Sequence, residues 1–584
     1  MRIEKLTIQN FRSFSNNPVD VVFPKISFPI SIVGYNNSGK SNLLDAIAYG
    51  LNSKSTSYAS FDVDDFHNHQ IENDFMIDVE ISPPIQVPTL YNQFREISKF
   101  NLKVKSEEGV IDSQHYCVDA EGTPIFTPMT IKRGNKTEFS PEEKVILNEY
   151  QKKGAQTAYK WKNKVPIYFI DPVHILNQLQ ANRYTLLGKV LMDVRKEFES
   201  LDSVIPKRDG VLDHHVGKPN AKIFQKMLDY IEKQVLPTPK LEALTDQIMS
   251  ALKDDLNIES DNFDLSFGFP SIDMFYKNME FYIKESETKP KLPITKYGNG
   301  FIFLFVISLF KAIIESNNGG NIFIIEEPET YLHEHYQEYF YDILTRLSAN
   351  NQVIYTTHSK KFVNLFEPQS IIKLDAAEDD GTKVIQYPEA DLSIPEALNE
   401  YKLNSVEDFA LYLKTLEPNI GNIIFAKKVI IVEGPHDLLG YKTVLSQKYN
   451  LEFDNISIVS AWGKDTIKSI AELCNLFDIK YFVIHDWDLD TDCDVTIRKE
   501  DSDSIYSELT PAQKAQYTKN YQIAEIAGIN NIHHNKRNLE SVLGITEKGT
   551  FSVFEKLRGK TVDQVSAEFP KFLDDKIIQF IELE

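Results

Sequence analysis

Cysteine is scarce in this chain: there are three among 584 residues, Cys117, Cys474 and Cys493. They show neither a pairing pattern nor metal-ligand spacing, which excludes a disulfide-framed fold and fits a reducing cytoplasm. Long apolar runs are missing too. The most apolar one, FIFLFVISLF from Phe301 to Phe310, is interrupted by Lys311 and falls short of the ~20 residues that span a bilayer. The N-terminal MRIEKLTIQNF has no apolar h-region. A cytoplasmic protein with no membrane contact is expected. Positive charge is in deficit, with 63 Lys and Arg against 85 Asp and Glu and a net charge of −22. That excludes a diffuse polyanion-binding surface, so a nucleic acid must be held locally, through metal, or by an assembly. No fixed-period repeat or low-complexity tract occurs. What remains is an ordinary globular composition, 42% hydrophobic and 25% charged, long enough for about three or four domains.

The first forty residues alternate as strands and lead into a glycine loop; Asn42 to Leu51 follows as a helix. From Pro172 the apolar residues recur at spacings of three and four, as in Leu187, Leu191, Val194 and Phe198. This predicts an amphipathic helical insert, either a lobe packed on its own chain or a pair used for self-association. Short apolar strands return at Ile322 to Ile325 and Val353 to Thr356. A polar stretch then connects to VIIVEG, ISIVSAWG and YFVIHD, three strand-like runs separated by helical stretches.

Gly34-Tyr35-Asn36-Asn37-Ser38-Gly39-Lys40-Ser41 matches G-x-x-x-x-G-K-[ST] between a strand pattern and a helix pattern. Such a loop, through Asn36, Asn37, Ser38 and Gly39, wraps backbone N–H groups around phosphate oxygens at the positive end of a helix. Lys40 is expected to reach the terminal phosphates and Ser41 to ligate magnesium. A strand ending in acids should complete the site, and IFII followed by Glu326-Glu327-Pro328-Glu329 supplies it. Glu326 is the expected magnesium ligand, Glu327 the group that polarises the attacking water, and His358, after the strand VIYTT, the contact to the γ-phosphate. His333 and His335 in YLHEHYQ have no third or fourth ligand nearby and are not read as a zinc site.

With these motifs in order, and with an opening IQNFRSF, the chain resembles the ABC-type ATPases of the SMC and RecF kind. The resemblance implies a signature loop that reaches a partner's ATP across a dimer. Its candidate is Lys296-Tyr297-Gly298-Asn299-Gly300, which departs from L-S-G-G-Q but keeps Gly298 and Gly300 to present backbone N–H groups.

A second constellation starts with KVIIVEGPHD, an apolar strand ending in E-G-x-x-D (Glu433, Asp437), and continues with VIHDWD (Asp486, Asp488). Aspartates recur at every second position from Asp486 to Asp494, a spacing that stacks like charges on one face of a strand unless a divalent ion offsets them. The last of them read equally as an acidic loop. On parallel strands, Glu433, Asp437, Asp486 and Asp488 can converge on hard cations, and two metals can stabilise both the attacking and leaving oxygens of a phosphodiester. The pair of motifs resembles the TOPRIM domain of topoisomerases, primases and some nucleases. That resemblance implies a late acidic ligand at Glu540 in RNLE. Lys560 in RGKT is either a solvated charge or the group that meets developing phosphate charge.

An ABC-type ATPase followed by a TOPRIM domain is similar to the OLD (overcoming lysogenization defect) family of nucleases. The resemblance implies ATP and Mg²⁺ or Mn²⁺ as cofactors, DNA as substrate, a homodimer or higher assembly, work alone or beside a helicase or retron, and often a role in anti-phage defence. The expected layout is an α/β chain: ATPase over 1–171 and 266–385, a helical dimerisation insert over 172–265, a linker over 386–425 and TOPRIM over 426–584. The rivals are a repair-type DNA-binding ATPase and a sensor ATPase that gates a partner. The acids at Glu433, Asp486 and Asp488 speak against a silent TOPRIM domain, and no cysteine cluster supports a primase.

Overall fold

The computed structural model describes residues 1–51, 61–88, 94–107, 110–119, 129–131, 165–170, 282–283, 292–298, 301–302, 305–306, 320–330, 332–377, 381–387, 412–413, 415–489, 509–546 and 549–582. The helical insert expected over 172–265, Gly300, and Asp490, Asp492 and Asp494 lie outside them. The chain divides into two compact units, Met1–Ile167 with Asn318–Glu584, and Tyr168–Asn317.

The first unit opens with an antiparallel sheet built from β1 (Arg2–Gln9), β2 (Val19–Val22), β4 (Phe75–Pro88), β5 (Phe94–Glu107), β6 (Val110–Asp119) and β7 (Met129–Ile131), in the order β2-β1-β4-β5-β6-β7. Between β2 and β4 the chain enters a second sheet as β3 (Ile30–Gly34) and continues into helix α1 (Lys40–Gly50). Gly50 lets α1 lie on β4, where a Cβ would stand 2.4 Å from Val79. After β8 (Ile167–Ile170), the second unit contributes a short antiparallel pair, β9 (Tyr282–Ile283) and β10 (Leu292–Pro293).

The second sheet resumes with β11 (Ile322–Ile325), helix α2 (Glu334–Ser348), β12 (Gln352–Thr356), β13 (Ile371–Ala377) and β14 (Gly381–Gln386). Its strands run β14-β13-β3-β12-β11, with β13, β3, β12 and β11 mutually parallel and β14 antiparallel at the edge. Parallel strands covered on both faces read as near-continuous apolar runs, and β3, β11 and β12 are buried at every position.

The third sheet is wholly parallel: β15 (Lys428–Val432), β16 (Ile456–Ser460), β17 (Lys480–Asp486) and β18 (Ile532–Asn535), in the order β16-β15-β17-β18. Helices α3 (Pro435–Leu445), α4 (Lys464–Leu476) and α5 (Pro511–Ala527) make the crossovers. Helices α6 (Leu539–Leu543), α7 (Thr550–Leu557), α8 (Val562–Glu568) and α9 (Asp575–Glu582) close the chain. Alternation along β15 separates two cores. Ile430 and Val432 face a core with Phe482, Ile484, Leu557 and Phe572, while Val429 and Ile431 face one that continues into Val33, Ile371 and Phe366 of the ATPase sheet.

That continuity changes the reading of 386–425. Its described end, a 3-10 turn over Ile420–Phe425, buries Ile420, Ile423 and Ile424 in the shared core. The scattered prolines and charges further upstream suggest a spacer, but these isoleucines pack between the domains.

Candidate active sites

The first site grows from the C-terminal edge of the second sheet. β3 delivers the chain at Gly34 into the loop before α1, where two glycines are sterically required. A Cβ on Gly34 would lie 2.3 Å from the Leu374 carbonyl, and one on Gly39, at φ 98°, 2.5 Å from Thr382 Oγ1 and 2.6 Å from Ser13 Oγ. Asn37 is also left-handed, at φ 65°, so successive N–H groups line the loop. Lys40 Nζ donates to the carbonyls of Gly34 at 2.9 Å and Tyr35 at 2.8 Å. Burial lowers the Lys40 pKa, opposed by Glu327 and Glu329. Asn36 and Ser41 are exposed. Ser38 Oγ is buried with no hydrogen-bond partner, a donor in the cradle suited to a phosphate oxygen.

β12 lies between β3 and β11, so the residues after all three strands meet on one edge. Glu326 and Glu327 follow β11. Glu327 takes φ 39°, and its N–H donates to Thr356 Oγ1 at 3.0 Å. His358, after β12, places Nε2 3.6 Å from Glu327 Oε1, while its backbone N–H donates to the half-buried Glu329 carboxylate. Burial, with Lys40 nearby, lowers the His358 pKa and favours a neutral imidazole. Gly298, in the second unit, is exposed, with open space where a side chain would stand. His333 precedes α2 on the surface.

The second site sits at the C-terminal edge of the third sheet. Glu433 directly follows β15, and its Oε2 accepts the Asp486 N–H at 2.9 Å, which joins the ends of neighbouring parallel strands. Register pairs Asp486 with Asn535. The Asn535 amide donates to Asp486 Oδ1 and Asp437 Oδ1, both at 3.1 Å, and Leu539 N–H donates to the same Asp486 oxygen at 3.0 Å. Asp437 also accepts the Gly434 N–H at 3.1 Å. Glu540, nearly buried, meets His436 Nδ1 at 3.2 Å. Asp488, at φ 58°, accepts Lys464 Nζ at 2.6 Å.

Burial raises the carboxyl pKa values of Glu433, Asp437 and Asp486, and mutual repulsion adds to it. Asp486 is pushed up to about 9, with Asp437 and Glu433 adding to burial. Asp437 is pushed to about 7 by burial, Glu433 and Glu540. Glu433 is raised by burial, with Lys464 pulling the other way. An oxygen-only donor set whose charges repel is what a hard divalent cation satisfies. As the side chains stand, no three His, Cys, Asp or Glu among the described residues form a ready cage. Asp486, Asp437 and Asp488 each accept a hydrogen bond from a protein donor.

A family model described as AAA ATPase domain matches residues 1–363, and one described as Overcoming lysogenization defect protein-like, TOPRIM domain matches residues 424–488. The chain belongs to the OLD family. It is 26% identical to the OLD nuclease of Thermus scotoductus over 93% of this chain and 92% of the relative. It is 22% identical to the Old nuclease of Escherichia phage P2, over 84% of this chain and 77% of the relative. Endonuclease GajA of Bacillus cereus is 20% identical over 76% of this chain and 68% of its own. The ATPase and TOPRIM folds of this OLD-family protein are those expected from its motifs.

The expected role of Lys560 is not what its surroundings favour. Its ammonium pairs with Glu568 and lies 4.9 Å from the Phe569 ring centre. The lysine that meets the carboxylates is Lys464, recognisable in sequence only as a cation after the glycine of AWGK. Asn535 carried no signal, because its amide matters only through the β17–β18 register.

Proposed function

We propose that this OLD-family protein hydrolyses ATP at the β3–α1 loop and hydrolyses DNA phosphodiesters, with divalent metal, at the carboxylates between β15 and β17. The observation that carries the second activity is the contact of Glu433 Oε2 with the Asp486 N–H at 2.9 Å, with Asn535 tying Asp437 to Asp486. Three acids are thereby gathered at one sheet edge.

At the first centre, Lys40 and the N–H groups of Asn36, Asn37, Ser38 and Gly39 hold the phosphates. Ser41 and Glu326 are the ligands for the nucleotide's magnesium. Glu327 accepts a proton from the attacking water, and neutral His358 donates to the γ-phosphate. Gly298 and Gly300 offer N–H groups to the nucleotide of a second protomer, which is the basis for a homodimer or higher assembly.

At the second centre, Glu433, Asp437, Asp486, Asp488 and Glu540 would hold Mg²⁺ or Mn²⁺, which would supply charge to activate water and stabilise the leaving oxygen. Water oxygen forms the new bond to phosphorus, and the sugar oxygen departs and takes up a proton. With a net charge of −22, DNA is held by this metal site and by assembly rather than by the general surface. A role in defence, alone or beside a helicase or retron, follows the family resemblance; a relative named Retron Ec83 probable ATPase is 21% identical over 64% of this chain. A cytoplasmic location fits DNA as substrate, and no described helix is long and apolar enough to cross a membrane.

The test is nicking of supercoiled plasmid with Mg²⁺ or Mn²⁺ by wild type, Asp486→Ala and Glu433→Ala. Wild type should cut, and neither variant should, while both still hydrolyse ATP. Cutting at the wild-type level by both variants would remove the carboxylates from the role.

A further inference from the structure

Lys464 opens α4, immediately after a loop bonded to the strand that carries Glu433: Ala461 N–H donates to the Val432 carbonyl at 2.8 Å and Gly463 N–H to the Glu433 carbonyl at 3.0 Å. Its side chain is 4% exposed, yet its ammonium lies 2.6 Å from Asp488 Oδ2, on an aspartate that is 35% exposed. A buried lysine needs a carboxylate, and this one reaches the most open acid of the cluster. The neighbouring Lys519 is committed at 2.6 Å to Asp465, and Lys560 to Glu568. Lys464 thus contacts the acids at the side where solvent, and therefore a DNA phosphate, can approach Asp488.

We propose that Lys464 is a catalytic residue of the nuclease centre with two successive partners: it holds Asp488 until a divalent ion takes that carboxylate, and then contacts a non-bridging oxygen of the scissile phosphate. The inference rests on the metal-dependent reading of the carboxylates. The geometry supports it in two ways. Asp488 gives Oδ2 to Lys464, so a divalent ion that takes this oxygen must compete with the ammonium for it. The released ammonium is buried, positively charged and beside the open mouth of the site, where a dianionic transition state gains most from a fixed cation. No covalent bond to Lys464 forms or breaks.

The two partners give Lys464→Met opposite effects on two measurements. Without the competing ammonium, Mn²⁺, followed by electron paramagnetic resonance in the absence of DNA, should bind tighter by about tenfold. Plasmid cutting at saturating Mn²⁺ should fall by about 10²-fold or more. Lys464→Arg, which keeps the charge, should return Mn²⁺ affinity to the wild-type value and cutting to within about tenfold. ATP turnover and melting temperature serve as folding controls for both. Unchanged or weaker Mn²⁺ binding by a folded Lys464→Met protein overturns the inference, as does undiminished cutting. Wild type that binds no Mn²⁺ overturns the metal-dependent reading itself, and this inference with it.

Discussion

Lys373, on the ATPase strand β13, donates to the backbone carbonyl of Phe477 in the TOPRIM domain at 3.0 Å, across 104 residues of sequence. The lysine is 5% exposed and also pairs with Asp375 at 2.9 Å. Phe477 caps α4, the helix that Lys464 begins, and Lys373 directly precedes Leu374, which pairs with Gly34 of the phosphate loop. One helix therefore touches the ATPase sheet at one end and the carboxylates at the other. Lys383 pairs with Asp478 beside this contact at 2.9 Å.

Because a single core runs through both domains, they should unfold together. Calorimetry of the wild type should show the ATPase sheet and TOPRIM domain in one transition. Lys373→Met, which leaves the Phe477 carbonyl without its donor, should cost about 1–3 kcal/mol. Separate ATPase and TOPRIM transitions in the wild type would contradict the shared core.

In the ATP site, Lys40→Ala should lose nucleotide binding and hydrolysis together, since the ammonium is the loop's own cation. Glu327→Gln should still bind ATP but turn it over about 10²-fold slower or more, because an amide accepts no proton from water. Filter binding and phosphate release read the two effects apart. A Glu327→Gln enzyme with normal turnover would assign the base elsewhere.

Asn535 touches no expected substrate, yet it fixes two of the carboxylates and accepts the Tyr441 hydroxyl at 3.2 Å. Asn535→Ala should raise the Mg²⁺ concentration needed for half-maximal cutting by about 10–100-fold, the usual cost of losing a group that orients ligands. ATP turnover should persist. An unchanged metal requirement would show that the acids hold their places without it.

His534 lies under the same edge, its ring 4.5 Å from that of His485, and burial lowers its pKa to about 3. Unfolded, it titrates near 6.5. The stability linked to its neutral form is complete above pH 6.5 and is lost as pH falls toward 3, reaching about 2 kcal/mol at pH 5. Asp486 and Asp437 act in the opposite direction, because their raised folded-state pKa values favour the folded protein at low pH. Urea titrations of wild type and His534→Phe should therefore differ in slope: the variant loses less stability between pH 7 and 5. Parallel curves would mean that His534 takes up its proton equally in the folded and unfolded states.

Much of this protein was already readable along the chain. The phosphate loop, the acids after IFII, the histidine after VIYTT and the Glu433 and Asp486 strand ends are each contiguous motifs. Their chemistry depends on a strand ending where a polar residue begins, and local alternation reveals that. The α/β class and the order of the two catalytic domains followed from the same patterns. Tertiary structure decided what depends on register and packing. Asn535 reaches Asp486 only because β17 and β18 pair in that register, and Lys464 meets Asp488 through a crossover helix between separate strands. The RGKT motif leaves Lys560 either a solvated charge or a phosphate contact, and its ammonium pairs with Glu568. The polar stretch before β15 looks like a spacer, yet its isoleucines close a core shared by the ATPase and TOPRIM domains. Spacing along a chain reports which face of one element a residue takes; which residues meet across elements is set by how those faces pack.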